Sequence, residues 1–229
     1  MTSPAPTVTP RIRSFMPRQG RITAGQEFSL ENYWMEYGLD TNIHYDFAQV
    51  FGRDAPLIIE IGFGNGESLA KMAAENPDNN YIGIEVHRPG VGHLLMLIKQ
   101  NGITNLKIYN HDAIDILENH ISDNSLGGVH LFFPDPWPKQ RHHKRRIVRP
   151  SFIEVLLKKL RVNGYFHTAT DWENYAKHIL DMLTPVQGFN NTSPTHTYCE
   201  RPDYRPLTKF EQRGIRLGHG VWDLVFTKN

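Results

Sequence analysis

Residues 57–75 read LIIEIGFGNGESLAKMAAE: an apolar run, a glycine-rich turn and a helical pattern in immediate succession. Leu57–Ile61 predicts a strand, and Glu67–Asn76 predicts a helix with Leu69, Met72 and Ala73 on one face. The glycines between them permit positive φ and bring backbone N–H groups close to any ligand above the strand end. The same alternation continues down the chain. Tyr81–Val86 is a second strand, and Val91, Leu94, Leu95 and Ile98 take the i, i+3, i+4, i+7 spacing of a second helix. Leu106–Tyr109, Ala113–His120 and Gly128–Phe133 follow as strand, helix and strand. Phe152–Leu160 is a helix entered through Pro150, Tyr165–Ala169 a fifth strand and Trp172–Leu183 its helix.

Short apolar strands alternating with helices imply an α/β fold, a mostly parallel sheet covered by helices on both faces. The end of the chain breaks the pattern. Gly220–Thr227 is a strand preceded only by a Thr208–Leu217 helix and irregular chain, so it is expected to enter antiparallel, at or near an edge. Residues 1–25 hold four prolines and little apolar surface, and read as a flexible Arg/Pro-rich arm. Residues 26–229 then form a single domain, with 26–54 packing onto it as a lead-in.

Composition narrows the classes. A chain of 229 residues with 39% hydrophobic and 21% charged content is that of a soluble globular protein. No apolar run approaches the ~18 residues of a spanning helix, and MTSPAPTVTPRIR lacks a secretory apolar core, so no membrane is expected. Cys199 is the only cysteine, which excludes an intramolecular disulfide and a cysteine-based zinc site and predicts a reducing, cytoplasmic setting. Of the histidines only His142 and His143 cluster, and adjacent residues in a basic loop make poor co-ligands, so no metal is expected.

The turn Glu60-Ile61-Gly62-Phe63-Gly64-Asn65-Gly66 departs from the dinucleotide fingerprint G-x-G-x-x-G. Its third glycine, Gly66, comes one place early, and the fingerprint position holds Glu67. A carboxylate there repels pyrophosphate, which disfavours a nicotinamide-dependent oxidoreductase. Acids suit S-adenosylmethionine, which carries an ammonium, a sulfonium and a ribose but no phosphate. Glu85 closes the second strand 25 residues after Glu60, near the ~20-residue offset at which an acid meets ribose hydroxyls. Asp112 follows the third strand, where it can accept from an adenine amino group or cap the next helix. Three successive strand ends with an acid point to a cofactor site made of Glu60, Gly62, Gly64, Gly66, Glu85 and Asp112.

After the fourth strand the chain reads FPDPWPKQRHHKRRIVR over residues 133–149. Asp135 stands between two prolines that stiffen its backbone. Lys139, Arg141, Lys144, Arg145, Arg146 and Arg149 follow with no acid among them, in a chain of formal net charge +1. Such a concentrated run beside a site carboxylate predicts a polyanionic substrate, with Arg141, His142, His143, Lys144, Arg145 and Arg146 on its phosphates in a mobile loop. Trp137 can stack on a base or anchor the loop.

With these motifs the chain resembles the bacterial tRNA (guanine-N7-)-methyltransferases, the TrmB family. The resemblance rests on IEIGFGNG (59–66), GIEVHRPGVG (83–92), LFFPDPWPK (131–139), RHHKRRIV (141–148), ATDW (169–172) and TKFEQRGIRLGHGVWDL (208–224). It implies a class I methyltransferase (Rossmann-like) fold, S-adenosylmethionine as donor and a guanine of the tRNA variable loop as target. By position Glu60, Glu85, Asp112 and Asp135 match the family's cofactor-binding acids, and Asp135 also its catalytic residue. Lys139, Asp171 and the stretch Thr208, Lys209, Phe210 and Glu211 match its substrate-contacting positions. Pro138 departs from the family, where histidine is frequent. On local grounds Asp171 also reads as a helix N-cap, and Thr208–Glu211 as a capping box. Two other readings stand beside this one: a non-catalytic RNA-binding subunit, and a methyltransferase for a small acceptor that leaves the basic run unexplained. Monomer and homodimer are equally compatible with the sequence.

Overall fold

The computed structural model describes residues 13–15, 20–208, 211–212 and 220–229. Helices α1 (Ala24–Tyr37) and α2 (Phe47–Phe51) precede strand β1 (Leu57–Ile61). Then α3 (Glu67–Glu75), β2 (Asn80–Ile84), α4 (Arg88–Asn101), β3 (Leu106–Tyr109), α5 (Ala113–His120) and β4 (Leu126–Phe132) alternate. A 3₁₀ turn, Gln140–Arg145, leads to α6 (Pro150–Lys159), β5 (Leu160–Thr170), α7 (Glu173–Leu183), β6 (Phe189–Asn191) and β7 (Trp222–Lys228). The seven strands lie in the order β3-β2-β1-β4-β5-β7-β6. Strands β1 to β5 run parallel, and β7 pairs antiparallel with both β5 and β6.

Strand alternation sorts the core into two layers. Leu57, Ile59 and Ile61 of β1 point to a cluster with Ile116, Phe152, Leu156, Ile179 and Leu183 from α5, α6 and α7. Ile58 points to the opposite cluster, with Leu69 and Met72 of α3, Leu94, Leu95 and Ile98 of α4 and Leu30 of α1. The parallel strands meet the expectation of near-continuous apolar runs because both faces are covered. The reversal of order at β1 and β4 opens a crevice at the carboxyl ends of the strands, the place where such sheets bind ligands.

Several elements differ from the sequence reading. Helix α1 begins at Ala24, inside the stretch read as an arm, because Thr23 and Gln26 form a reciprocal capping box. The terminal strand β7 is antiparallel and next to the edge, as expected; the edge itself is the short β6, which the sequence reading did not give. The basic run is not a featureless loop, since its 3₁₀ turn runs into Arg146, Ile147 and Val148, all buried. The predicted Thr208–Leu217 helix lies largely outside the described residues; Glu211 and Gln212 are helical. No helix among the described residues is long and apolar enough to cross a membrane.

Candidate active site

A cavity of about 380 Å³ opens over the carboxyl ends of β1, β2, β3 and β4, of the size that small-molecule sites have. Gly62, Gly64 and Asn65 form one wall, Glu85, Val86 and His87 a second, and His111 and Asp112 a third. Phe133, Pro134 and Asp135 form the fourth, with Ser14 and Phe15 against it. The residues expected at the cofactor thus converge, with two exceptions. Gly66 does not line the cavity; at φ 76° it starts α3, and its position packs against Leu94. Glu60 lies behind the loop, 3% exposed.

Local structure explains the wall. Glu85 Oε2 accepts the Gly64 N–H at 3.0 Å, and Oε1 accepts those of Val86 (2.7 Å) and His87 (2.9 Å). One carboxylate therefore ties the glycine loop to the end of β2. Gly64 must be glycine to present that N–H at φ 60°. A side chain on Gly90, at the start of α4, would sit 2.1 Å from Gly64 O, so this pair of glycines sets the approach of helix to loop. Asp112 accepts the Ile114 N–H at 2.9 Å, which makes it the cap of α5, and it also lines the cavity. Glu60 is pushed up to about 8 by burial first and by Glu85 second. Its Oε2 has no hydrogen-bond partner, the signature of a group awaiting a donor or a positive charge.

The Asp135 wall is strained and braced. Phe133 and Trp137 both sit at positive φ, 50° and 47°, conformations that cost of order 1–3 kcal/mol each and concentrate at functional sites. The Phe133 N–H donates to Ala169 O of β5 at 2.8 Å. Trp137 is an anchor: its indole N–H donates to Ser14 O at 3.3 Å, and the Arg145 guanidinium lies over its ring at 4.9 Å.

Arg146 corrects the sequence reading that gave it to RNA. It is 2% exposed, its Nε donates to Pro136 O (3.0 Å) and its Nη2 to Asn174 Oδ1 (2.7 Å), with Tyr175 beneath its guanidinium. It latches the Asp135 segment to the start of α7, and no phosphate can reach it. Lys139, Arg141 and Lys144 are exposed, while His142, His143 and Arg145 are half-buried. Desolvation and then the charges of Arg141, Arg145, Lys139 and Lys144 hold His142 below its ordinary value, which favours its neutral form.

Asp171 is half-buried in the turn after β5, but the N-cap of α7 is Trp172. Thr208 and Glu211 do form the capping box: Thr208 N–H and hydroxyl donate to Glu211 Oε2, and Glu211 N–H donates to Thr208 Oγ1. Lys209 and Phe210 lie outside the described residues. Glu211 is 2% exposed, and its Oε1 stands 2.8 Å from Arg205 Nη1. Its carboxylate therefore faces inward, not an open substrate surface.

Sequence reasoning missed the network behind Glu211. Arg205 also holds Asp223 of β7 bidentately, Nε to Oδ1 at 2.7 Å and Nη2 to Oδ2 at 2.8 Å, and lies over the Phe132 and Phe133 rings. His167 Nε2 stands 2.8 Å from the same Asp223 Oδ1 and must carry the proton, leaving Nδ1 to accept from Tyr204. The signal was present: an aspartate inside the apolar strand WDLVF needs a buried partner.

Known proteins match this arrangement. Residues 54–224 match the family described as "Putative methyltransferase". The tRNA (guanine-N(7)-)-methyltransferase of Shewanella amazonensis is 56% identical over 95% of this chain and 92% of its own. The enzyme of the same name from Pseudoalteromonas atlantica is 54% identical over the same shares. Among solved structures, the 16S rRNA methyltransferase KamB superposes with TM-score 0.60 at 15% identity, covering 82% of this chain and 95% of that one. The sheet order and the glycine loop thus define a class I methyltransferase fold. Within that class, the chain belongs to the family of bacterial tRNA (guanine-N7-)-methyltransferases.

Proposed function

We propose that the protein transfers the methyl group of S-adenosylmethionine to N7 of a guanine in the variable loop of tRNA, leaving 7-methylguanosine and S-adenosylhomocysteine. The observation that carries this reading is the position of Asp135, which borders the cofactor-sized cavity on one side and runs into the exposed cations Lys139, Arg141 and Lys144 on the other.

The residues present fit this cofactor. Glu85 and Asp112 offer acceptors to ribose and adenine, and the unpartnered Glu60 oxygen lies behind the loop that would meet the cationic methionine end. When bound, the cofactor supplies a methyl on a sulfonium, whose carbon–sulfur bond breaks as the guanine N7 lone pair forms the new bond. N7 needs no deprotonation, so these residues act by alignment and electrostatics. Asp135 accepts from the N1–H and amino edge of the guanine, and that interaction strengthens as the ring becomes positive. Lys139, Arg141 and Lys144 hold backbone phosphates without reading sequence. Glu211 contributes by fixing the Thr208 turn directly, while Arg205 holds its other oxygen.

Incubation with labelled S-adenosylmethionine and bulk tRNA lacking the modification, followed by cleavage at 7-methylguanosine, tests the reading. Label at one variable-loop guanine is the expected result. Label only in a small metabolite overturns it.

A further inference from the structure

We infer that Trp172 is the aromatic face on which the target guanine stacks during methyl transfer, an inference that rests on the proposed function. The four tryptophans of the chain are used differently. Trp34 packs tightly over Gly38, where an added side-chain carbon would lie 2.3 Å from its ring. Trp137 has Arg145 on its face and Ser14 on its indole N–H. Trp222 meets Tyr198 edge-on. Trp172 is 42% exposed, and among the described residues its indole has neither a ring partner nor a hydrogen-bond acceptor. Trp172 does not line the cavity itself, but a large aromatic left open on the segment next to the Asp135 wall is the kind of surface that bases use.

Its place and rigidity make it specific. It follows β5, whose Ala169 O accepts the Phe133 N–H just before Asp135. Arg146 then clamps Pro136 to Asn174, so the segment of Asp135 and the segment of Trp172 are fixed to each other. The Trp172 N–H donates to the buried Thr170 hydroxyl (3.2 Å), and its carbonyl accepts from Tyr175 and Ala176. The ring therefore stands on a backbone that does not have to reorganise.

The chemistry favours such a face. As N7 takes the methyl, positive charge spreads over the guanine ring, and an indole face attracts a cation more strongly than a neutral ring. Stacking then tightens toward the transition state, which lowers the barrier and not only the ground state. Asp135 would take the edge of the base and Trp172 its face. Trp137 is already engaged, with Arg145 over one face, His142 at right angles to its ring and Ser14 on its indole N–H.

The test uses the full-length protein with Trp172→Ala and Trp172→Phe, S-adenosylmethionine and unmodified tRNA. Trp172→Ala is expected to lower kcat/KM for tRNA by roughly 5- to 150-fold, with part of the loss in kcat. Trp172→Phe should recover most of it, and cofactor affinity by equilibrium dialysis should stay within about twofold of the parent in both. Addition of tRNA should quench tryptophan fluorescence in the parent, and Trp172→Phe should lose that quench. An alanine variant as active as the parent, a phenylalanine variant with the full quench, or a parallel fall in cofactor affinity overturns the inference. If the alanine variant does not fold, the rate and quench of the phenylalanine variant decide. A parent that methylates tRNA beside an unaffected variant sinks only this inference; a parent that transfers nothing to tRNA sinks the proposed function as well.

Discussion

At the ends of β1 and β2 the cavity wall is loop backbone gathered by a single carboxylate; after β4 the wall is a segment braced by buried cations that reach α7 and β7. In the first half Glu85 receives three backbone N–H groups. In the second, Arg146 clamps two segments, and Arg205 joins Glu211 to Asp223 beneath Phe132 and Phe133. The difference suits two kinds of ligand. A small donor of fixed shape is met by glycine backbone at close range. A base brought in on a long polyanion needs a surface that stays put while the phosphates pull on it, and buried guanidinium clamps supply that.

The contrast can be broken from either side. The largest effect is expected at Arg205→Ala, which takes the guanidinium from two buried carboxylates and leaves Asp223 only His167 and Glu211 only the Thr208 cap. Denaturant unfolding should show a loss of about 3–5 kcal/mol; a loss under 1 kcal/mol would mean that the network does not brace the wall. Next comes Asp135→Ala, for which initial rates with labelled donor should fall about 10²–10³-fold while the melting temperature holds. Near-normal turnover would remove Asp135 from the chemistry.

Two neighbouring arginines sharpen the comparison. Arg146→Ala should cost about 1.5–3 kcal/mol of stability through its lost charge-assisted bonds. Arg141→Ala should leave stability alone and reduce the salt slope of tRNA binding by about one unit. If the two variants behave alike in both assays, the inward and outward assignments are wrong.

The cofactor half gives the smallest effect, through Glu60. Its folded value of about 8 lies above the ordinary 4.5, so the folded protein keeps a proton that the unfolded chain releases between those pH values. Stability from this group is complete below 4.5 and drains away as pH rises through 8. Glu60→Gln should therefore match the parent at pH 4.5 and exceed it above pH 8 by about 1–3 kcal/mol. Equal unfolding curves at pH 9 would show that Glu60 is not desolvated.

The five parallel strands and the acids at their ends could be read directly, because a strand buried on both faces is an apolar run and a functional acid breaks it visibly. Helix α1 could not. Phe28 and Met35 are exposed while Leu30 and Tyr37 are buried, so its apolar residues trace no single stripe. Strand β6 has three residues, two of them asparagine, and exists because β7 offers it an edge. Arg146 looked like its neighbours because charge alone does not tell which way a guanidinium turns.

The sequence by itself determined the α/β alternation, the glycine loop with Glu85 and Asp112 at successive strand ends, and Asp135 at the head of a basic run. Each depends on residues a few positions apart, where periodicity and local chemistry act. Only the tertiary structure decided that Arg146 is a clamp, that Glu211 faces Arg205, and that Trp172 stands open on a segment tied to that of Asp135. Those outcomes depend on contacts that local periodicity does not encode, such as Arg146 with Asn174 28 residues on, and on burial, which sets whether a charge meets water or another charge.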